Sequence, residues 1–434
     1  MTRGEFICSS LALAASPALA EDTAFPKVVG SRVGDNAQCK TPRNRCPYSG
    51  IDWATAHQIR GTTHVHCTNQ ADLDEILKRI EFLTLSNYYP SAPWYPLDRM
   101  TENYWRVHHD FPVIVNGKRT DGPFNWNEIV GKWIGELPSE LQREYPFKEG
   151  SRIFRPLPKG VLEAPNAEHH GFIMEGGRRN NYLHLNSPGS LFSSGTFDKK
   201  QKERFQTGVR GGYDFGSGEN WRTAIDRMLD GLIYPDGGGV TINHPVWSSH
   251  PRRLIANLLD YDPRVLGIEA IEGGGVNCER YWDWILTTGR QCFGFFVPDH
   301  KIRPKNGAFG VNVLIVPERS AHACLKAYRD GNFYGARRGL GELRFTRIVF
   351  NGTTIEAETD RPADIKVITA NGVVKMAKGT TAVKWKMEER SQGCARRESL
   401  HVFARVKAVA ADGCGEELYS QPCMLTDAIE QERY

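Results

Sequence analysis

Histidines and carboxylates stand together at four places in this chain. In the segment Arg60-Gly61-Thr62-Thr63-His64-Val65-His66-Cys67, two histidines lie two apart in a strand-like stretch, so both imidazoles emerge on one face. Both can then reach one divalent ion, for which imidazole is the commonest ligand. Asn166-Ala167-Glu168-His169-His170 is a second cluster, and Asn243-His244-Pro245, closing the run from Gly239, is a third. The fourth, Pro298-Asp299-His300, follows Phe295-Phe296-Val297. His169 and His170 compete for one position, and an extended backbone puts His170 on the face of Glu168. His184, in Tyr182-Leu183-His184-Leu185, is a further candidate. Imidazole and carboxylate donors together suit Zn²⁺, Mn²⁺ or Fe²⁺, and a bridging carboxylate such as Glu168 can hold two ions close together. Water bound there loses its proton near neutral pH and becomes a hydroxide nucleophile. No serine or cysteine nucleophile is needed, and the sequence has no GxSxG elbow.

These clusters need a scaffold that brings distant segments to one rim. From about residue 58 to 340, short apolar runs alternate with helix-like stretches. The runs are 61–66, 79–86, 238–244, 265–271, 292–297 and 310–316. The helical stretches are 71–80, 220–232, 252–260, 278–288 and 320–330. Such alternation argues for βα units and a mostly parallel α/β barrel or open sheet, whose C-terminal strand ends converge. After about Gly341 the helical pattern stops. Strand-like segments at 343–350, 353–358, 364–369, 381–387, 399–408 and 418–423, with turns expected at Asn351-Gly352 and Asn371-Gly372, predict a small antiparallel β-sandwich over 341–434.

With 434 residues and 40% hydrophobic content, the chain can bury a sizeable core and is expected to form two domains. Its formal charge of +4, from 55 basic and 51 acidic residues, does not imply a nucleic-acid partner. The basic start at Arg3, the apolar run 6–20 and Ala18-Leu19-Ala20 read as a signal peptide at 1–20, which predicts a periplasmic or secreted protein. Residues 21–57 read as an irregular leader, and no later segment is long and apolar enough to span a membrane. In an oxidising compartment, Cys39 with Cys46 and Cys414 with Cys423 are the favoured local disulfides. Arg178-Arg179 and Arg252-Arg253 are candidates to receive an anionic small-molecule substrate, because a guanidinium pairs bidentately with phosphate. The aromatic segment 88–95 is a candidate pocket wall.

His64-Val65-His66, Glu168, Asn243-His244-Pro245 and a late Asp299-His300 resemble, in that order, the motifs of the polymerase and histidinol phosphatase (PHP) superfamily. Residues 328–337 and Tyr419-Ser420-Gln421-Pro422 are similar to its carbaryl hydrolase-like branch, in which a small β-domain follows the barrel. The resemblance covers about residues 58–425. It implies a distorted (β/α)₇ barrel and a two- or three-metal site with His64, His66, Glu168, His244 and Asp299 as ligands, His170 and His300 being further candidates. Glu168, His244 and Asp299 are the catalytic residues expected on this basis. The implied activity is phosphoester hydrolysis; a carbamate or carboxylic-ester hydrolase and a binding protein on a decayed barrel are the alternatives. Two departures stand out. Ser86-Asn87-Tyr88 replaces the Thr-Asp-His of many relatives, which leaves two metal ions rather than three, and Asp299 and His300 are adjacent where relatives have Asp-x-His.

Overall fold

The computed structural model describes residues 46–67, 69–86, 155–169, 183–190, 221–299, 310–338, 342–351, 354–387 and 402–425. The expected signal at 1–20, most of the leader, Asn87, Tyr88 and the aromatic segment that follows, His170, Arg178, Arg179 and His300 lie outside these residues. Among the described residues, no helix is long and apolar enough to cross a membrane.

The fold is mixed α/β. In one sheet, β1 (His57–Gly61) pairs in parallel with β2 (Phe82–Leu83), which pairs in parallel with β3 (Leu162–Glu163). A second sheet carries β4 (Glu168–His169), β5 (Leu185–Asn186), β6 (Val240–Ile242), β7 (Val265–Ile271) and β8 (Phe293–Phe296); β4–β5 and β5–β6 are antiparallel, while β6–β7–β8 are parallel. The helices fall where the apolar periodicity places them: α1 (Gln70–Leu77), α2 (Trp221–Asp230), α3 (Arg252–Tyr261), α4 (Glu279–Thr287) and α5 (Ala321–Asp330). α3 shows why. Leu254, Ile255, Leu258 and Leu259 recur at helical spacing and are all buried. α5 starts where the Ser320 side chain accepts from the Ala323 N–H and stops at Gly331 in the left-handed region, φ 75°. Every residue of β7 is buried, as a parallel strand covered on both faces must be.

The two sheets meet at the residues with chemical potential. Val65 and Asp299 form a parallel bridge, in which the Asp299 N–H donates to the His64 carbonyl and the His66 N–H to the Asp299 carbonyl, each at 3.0 Å. Nearby, the buried Asn166 amide replaces missing ladder bonds. Its Nδ2 donates to the Thr63 and Thr84 carbonyls at 2.8 and 3.1 Å, and its Oδ1 accepts from the Ser187 N–H. β1 itself begins four residues earlier than the apolar run suggested and ends at Gly61, so the two histidines follow the strand. A side chain at Gly61 would meet Leu314 and the Tyr328 hydroxyl at 2.9 Å, which explains glycine at that crossing.

The C-terminal strands are antiparallel, but they extend the first sheet. β9 (Gly310–Val316) lies between β1 and β10 (Phe333–Arg337), β10 pairs with β15 (Glu417–Ser420), and β15 leads through β14 (Phe403–Ala410) to β12 (Thr354–Thr369) and β11 (Phe345–Asn351). β13 (Gly372–Lys386) pairs with β12 through the turn at Asn371-Gly372, and β16 (Cys423–Met424) with β14. The segments expected separately at 353–358 and 364–369 form one strand, β12, whose register shifts between Glu358 and Ala363 around Pro362, a residue that cannot donate to a ladder. Phe345, Ile355, Ile365 and Val406 share a hydrophobic core with Val65, Ile76 and Val311. Arg405, fully buried on β14, pairs with Glu279 and Asp283 of α4 at 2.7 to 2.8 Å and lies over the Trp282 ring.

Both expected disulfides are corrected. Cys46 bonds Cys423, 377 residues away, and Cys414 is exposed and free. The Tyr48 hydroxyl explains the proximity: it donates to the Phe333 carbonyl and accepts from the Gln421 N–H, both at 2.7 Å, drawing the first described residues onto β16. Spacing along the chain carries no trace of this long-range contact.

Candidate metal centre

His64 and His66 flank the Val65 bridge and point to the same side. His66 Nδ1 lies 2.7 Å from the Ser86 carbonyl, which can only accept, so Nδ1 carries the hydrogen and Nε2 presents its lone pair. His64 Nδ1 lies 2.7 Å from Glu269 Oε1 and donates in the same way. The two Nε2 atoms are 3.0 Å apart. Two lone pairs at that distance repel unless a cation or a shared proton lies against both.

Glu168, at the start of β4, reaches into this gap. Its Oε2 lies 3.1 Å from His66 Nε2 and 3.4 Å from His64 Nε2, while its Oε1 lies 2.9 Å from His184 Nδ1 and 3.4 Å from His244 Nε2. His184 and His244 approach each other to 3.1 Å. Two triads result, His64–His66–Glu168 and Glu168–His184–His244, each with its donor atoms within 4.8 Å of one another. Asp299 Oδ1 closes the first, 3.1 Å from His64 Nε2 and 3.7 Å from His66 Nε2. The donor set fits a divalent metal ion, and among the described residues Glu168 belongs to both triads.

Electrostatics and backbone geometry agree. Burial disfavours charge on His64, yet the carboxylates of Asp299, Glu168 and Glu269 outweigh it and hold that imidazole well above its usual range. For His66, burial prevails and pulls it down. Such an excess of buried carboxylate calls for positive charge. Two non-glycine residues of the cluster, His244 at φ 25° and Asp299 at φ 59°, occupy the left-handed region, a strained backbone that clusters at functional sites. Asp299 follows Pro298, so the chain turns where the regular strand stops.

No family model matches the chain. No curated protein matches it either. Among solved structures, it is similar to a two-domain protein of Bacteroides vulgatus ATCC 8482 described as containing a predicted PHP-like metal-dependent phosphoesterase: the two are 12% identical over 85% of this chain and 94% of that one, with a TM-score of 0.36.

The structure brings His64, His66, Glu168, His244 and Asp299 to one place. His169 points away on the alternate face of β4, its Nε2 2.8 Å from Ser187 Oγ. Arg252 is committed elsewhere, with its guanidinium 4.6 Å from the centre of the Trp284 ring, and Arg253 is half-buried at the start of α3. Three participants were not singled out from sequence. Glu269 holds His64 Nδ1 with one oxygen and accepts the His244 N–H with the other at 2.7 Å. Its signal was a lone acid inside the apolar run Val265-Leu266-Gly267-Ile268-Glu269-Ala270-Ile271. Ser248 Oγ lies 2.8 Å from His244 Nδ1. Gly273 makes room for Asp299, since a Cβ there would stand 2.3 Å from the aspartate Cβ.

Proposed function

We propose that this chain is an exported metal-dependent hydrolase of the PHP type that cleaves a small phosphoester. The observation that carries the reading is Glu168 shared between two imidazole pairs. When bound, two divalent ions supply an activated water and neutralise charge building on the phosphoryl oxygens. The protein's own part is to fix the donors. Ser86 and Glu269 set the tautomers of His66 and His64, Glu269 also pins the His244 backbone, and Ser248 orients the His244 ring. His64 is fully buried, whereas the Asp299 and His184 side chains are 15% and 14% exposed. The mouth of the site therefore lies along Asp299 and His184, and the substrate's scissile group enters there. Export rests on the composition of residues 1–20, and the family on the order of the four clusters.

The test combines metal analysis of the purified protein with turnover of an aryl phosphodiester, an aryl phosphomonoester and a carboxylic or carbamate ester. Metal with phosphoester turnover is the expected result. Faster turnover of the carbamate or ester would transfer the site to carbonyl chemistry, and stoichiometric metal with no turnover would make it a binding protein.

A further inference from the structure

Large apolar side chains exposed one at a time are ordinary, but here they concentrate beside the cluster. Of the five exposed large hydrophobic residues among the described ones, Trp247 at 63%, Val246 and Val276 belong to two loops that both hydrogen-bond the buried residue Glu272, one through its side chain and one through its backbone. Glu272 accepts from the Val246 N–H at 2.7 Å and from the Trp247 N–H at 3.1 Å, while its own N–H donates to the Val276 carbonyl at 3.0 Å. The turn after His244 is held by further backbone bonds, Ser248 N–H to the His244 carbonyl and His250 N–H to the Pro245 carbonyl. The indole is thus fixed rather than trailing from a loose loop. Its ring centre lies 4.9 Å from that of His244, edge to face, and 6.5 Å from that of His184. One side of Trp247 rests on the second imidazole pair, and the rest of the ring is open at the mouth.

We infer that Trp247, exposed on one loop with Val246, is the platform that selects substrates whose ester carries a flat aromatic ring next to the scissile bond. The inference rests on the hydrolase reading and adds its substrate class. A ring stacked on the open face of the indole gains both burial and aromatic contact, and the short distance from Trp247 to His244 and His184 suits a group attached directly to the reacting centre. An alkyl ester offers no such face.

Binding of non-hydrolysable analogues separates this inference from catalysis. Protein loaded with Mn²⁺, with metal content measured on the same sample, is titrated calorimetrically with phenylphosphonate and methylphosphonate, for the wild type, W247A and W247F. The expected result is that the wild type binds phenylphosphonate at least about tenfold tighter than methylphosphonate. W247A, compared at the metal content measured for that sample, should bring the two within about twofold, and W247F should keep most of the preference. Equal affinities in the wild type, or an undiminished preference in W247A, overturn the inference while leaving the metal site intact. Protein that takes up no Mn²⁺ overturns the hydrolase reading and this inference with it.

Discussion

Glu269 Oε1 takes the Nδ1 hydrogen of His64 at 2.7 Å, at a point where both side chains are fully buried. The contact leaves His64 one free nitrogen and aims it at His66, Glu168 and Asp299. Glu269→Gln keeps the shape but can turn its amide donor toward the imidazole, so the tautomer is no longer fixed. The expected outcome is a 10- to 100-fold weaker metal affinity at the His64–His66 position, measured by competition with a chromogenic chelator, with an unchanged far-ultraviolet circular dichroism spectrum. Wild-type affinity in E269Q would remove Glu269 from the account.

Gly273 and Asp299 should behave as one unit. Gly273→Ala forces a methyl group against Asp299, so its effect on metal affinity should largely repeat that of Asp299→Asn. The double variant is expected to be clearly less impaired than the sum of the two single losses, because both act on the same carboxylate. Strict additivity would mean that Gly273 matters for another reason.

Metal binding should also stabilise the fold. A ligand that binds only the native state adds RT ln(1 + [L]/Kd), about 2.7 kcal/mol at a hundredfold excess over Kd. Mn²⁺ is expected to raise the Tm of the wild type and EDTA to reverse the rise. His64→Ala with His66→Ala should fold yet show a much smaller shift, since an extensive core remains without these rim residues. A full Mn²⁺ shift in the double variant would place the ion elsewhere.

Acid stability should report the junction between α4 and the C-terminal strands. Burial would raise the Glu279 carboxyl, but Arg405 first and then Lys407 hold it down to about 2. A depressed carboxyl stabilises the folded state above its unfolded value near 4.3 and loses that contribution as pH falls toward 2, roughly 3 kcal/mol in all. Denaturant titrations between pH 5 and 2 should therefore show a steeper loss in the wild type than in Glu279→Gln. Parallel curves would contradict the assignment.

Much of the site was legible because three of the donor clusters, at His64-Val65-His66, His244 and Asp299, close or directly follow apolar runs, and ends of neighbouring strands converge. His64, His66, Glu168, His244 and Asp299 come together on that logic. His184 was harder to weigh, since it precedes a two-residue strand whose antiparallel partners, β4 and β6, cannot be inferred from so short a pattern. Glu269 and Gly273 were invisible for different reasons. One acid in a buried strand looks like noise until its partners are known, and a glycine that clears space for a side chain 26 residues later has no local signature. The helices were readable from their periodicity to within three residues at each end. What periodicity could not show was that the C-terminal strands continue the sheet of β1, or that Cys46 seeks Cys423, because both depend on contacts between the chain's distant ends.

The central claim is that Glu168 joins two metal positions, and anomalous scattering from crystals soaked in Mn²⁺ tests it most directly. Two peaks are expected, one among His64, His66 and Asp299 and one between His184 and His244, with a carboxylate oxygen of Glu168 beside each and both peaks weakened in Glu168→Gln. A map with no peak in this cluster, or with peaks that persist unchanged in Glu168→Gln, would contradict it.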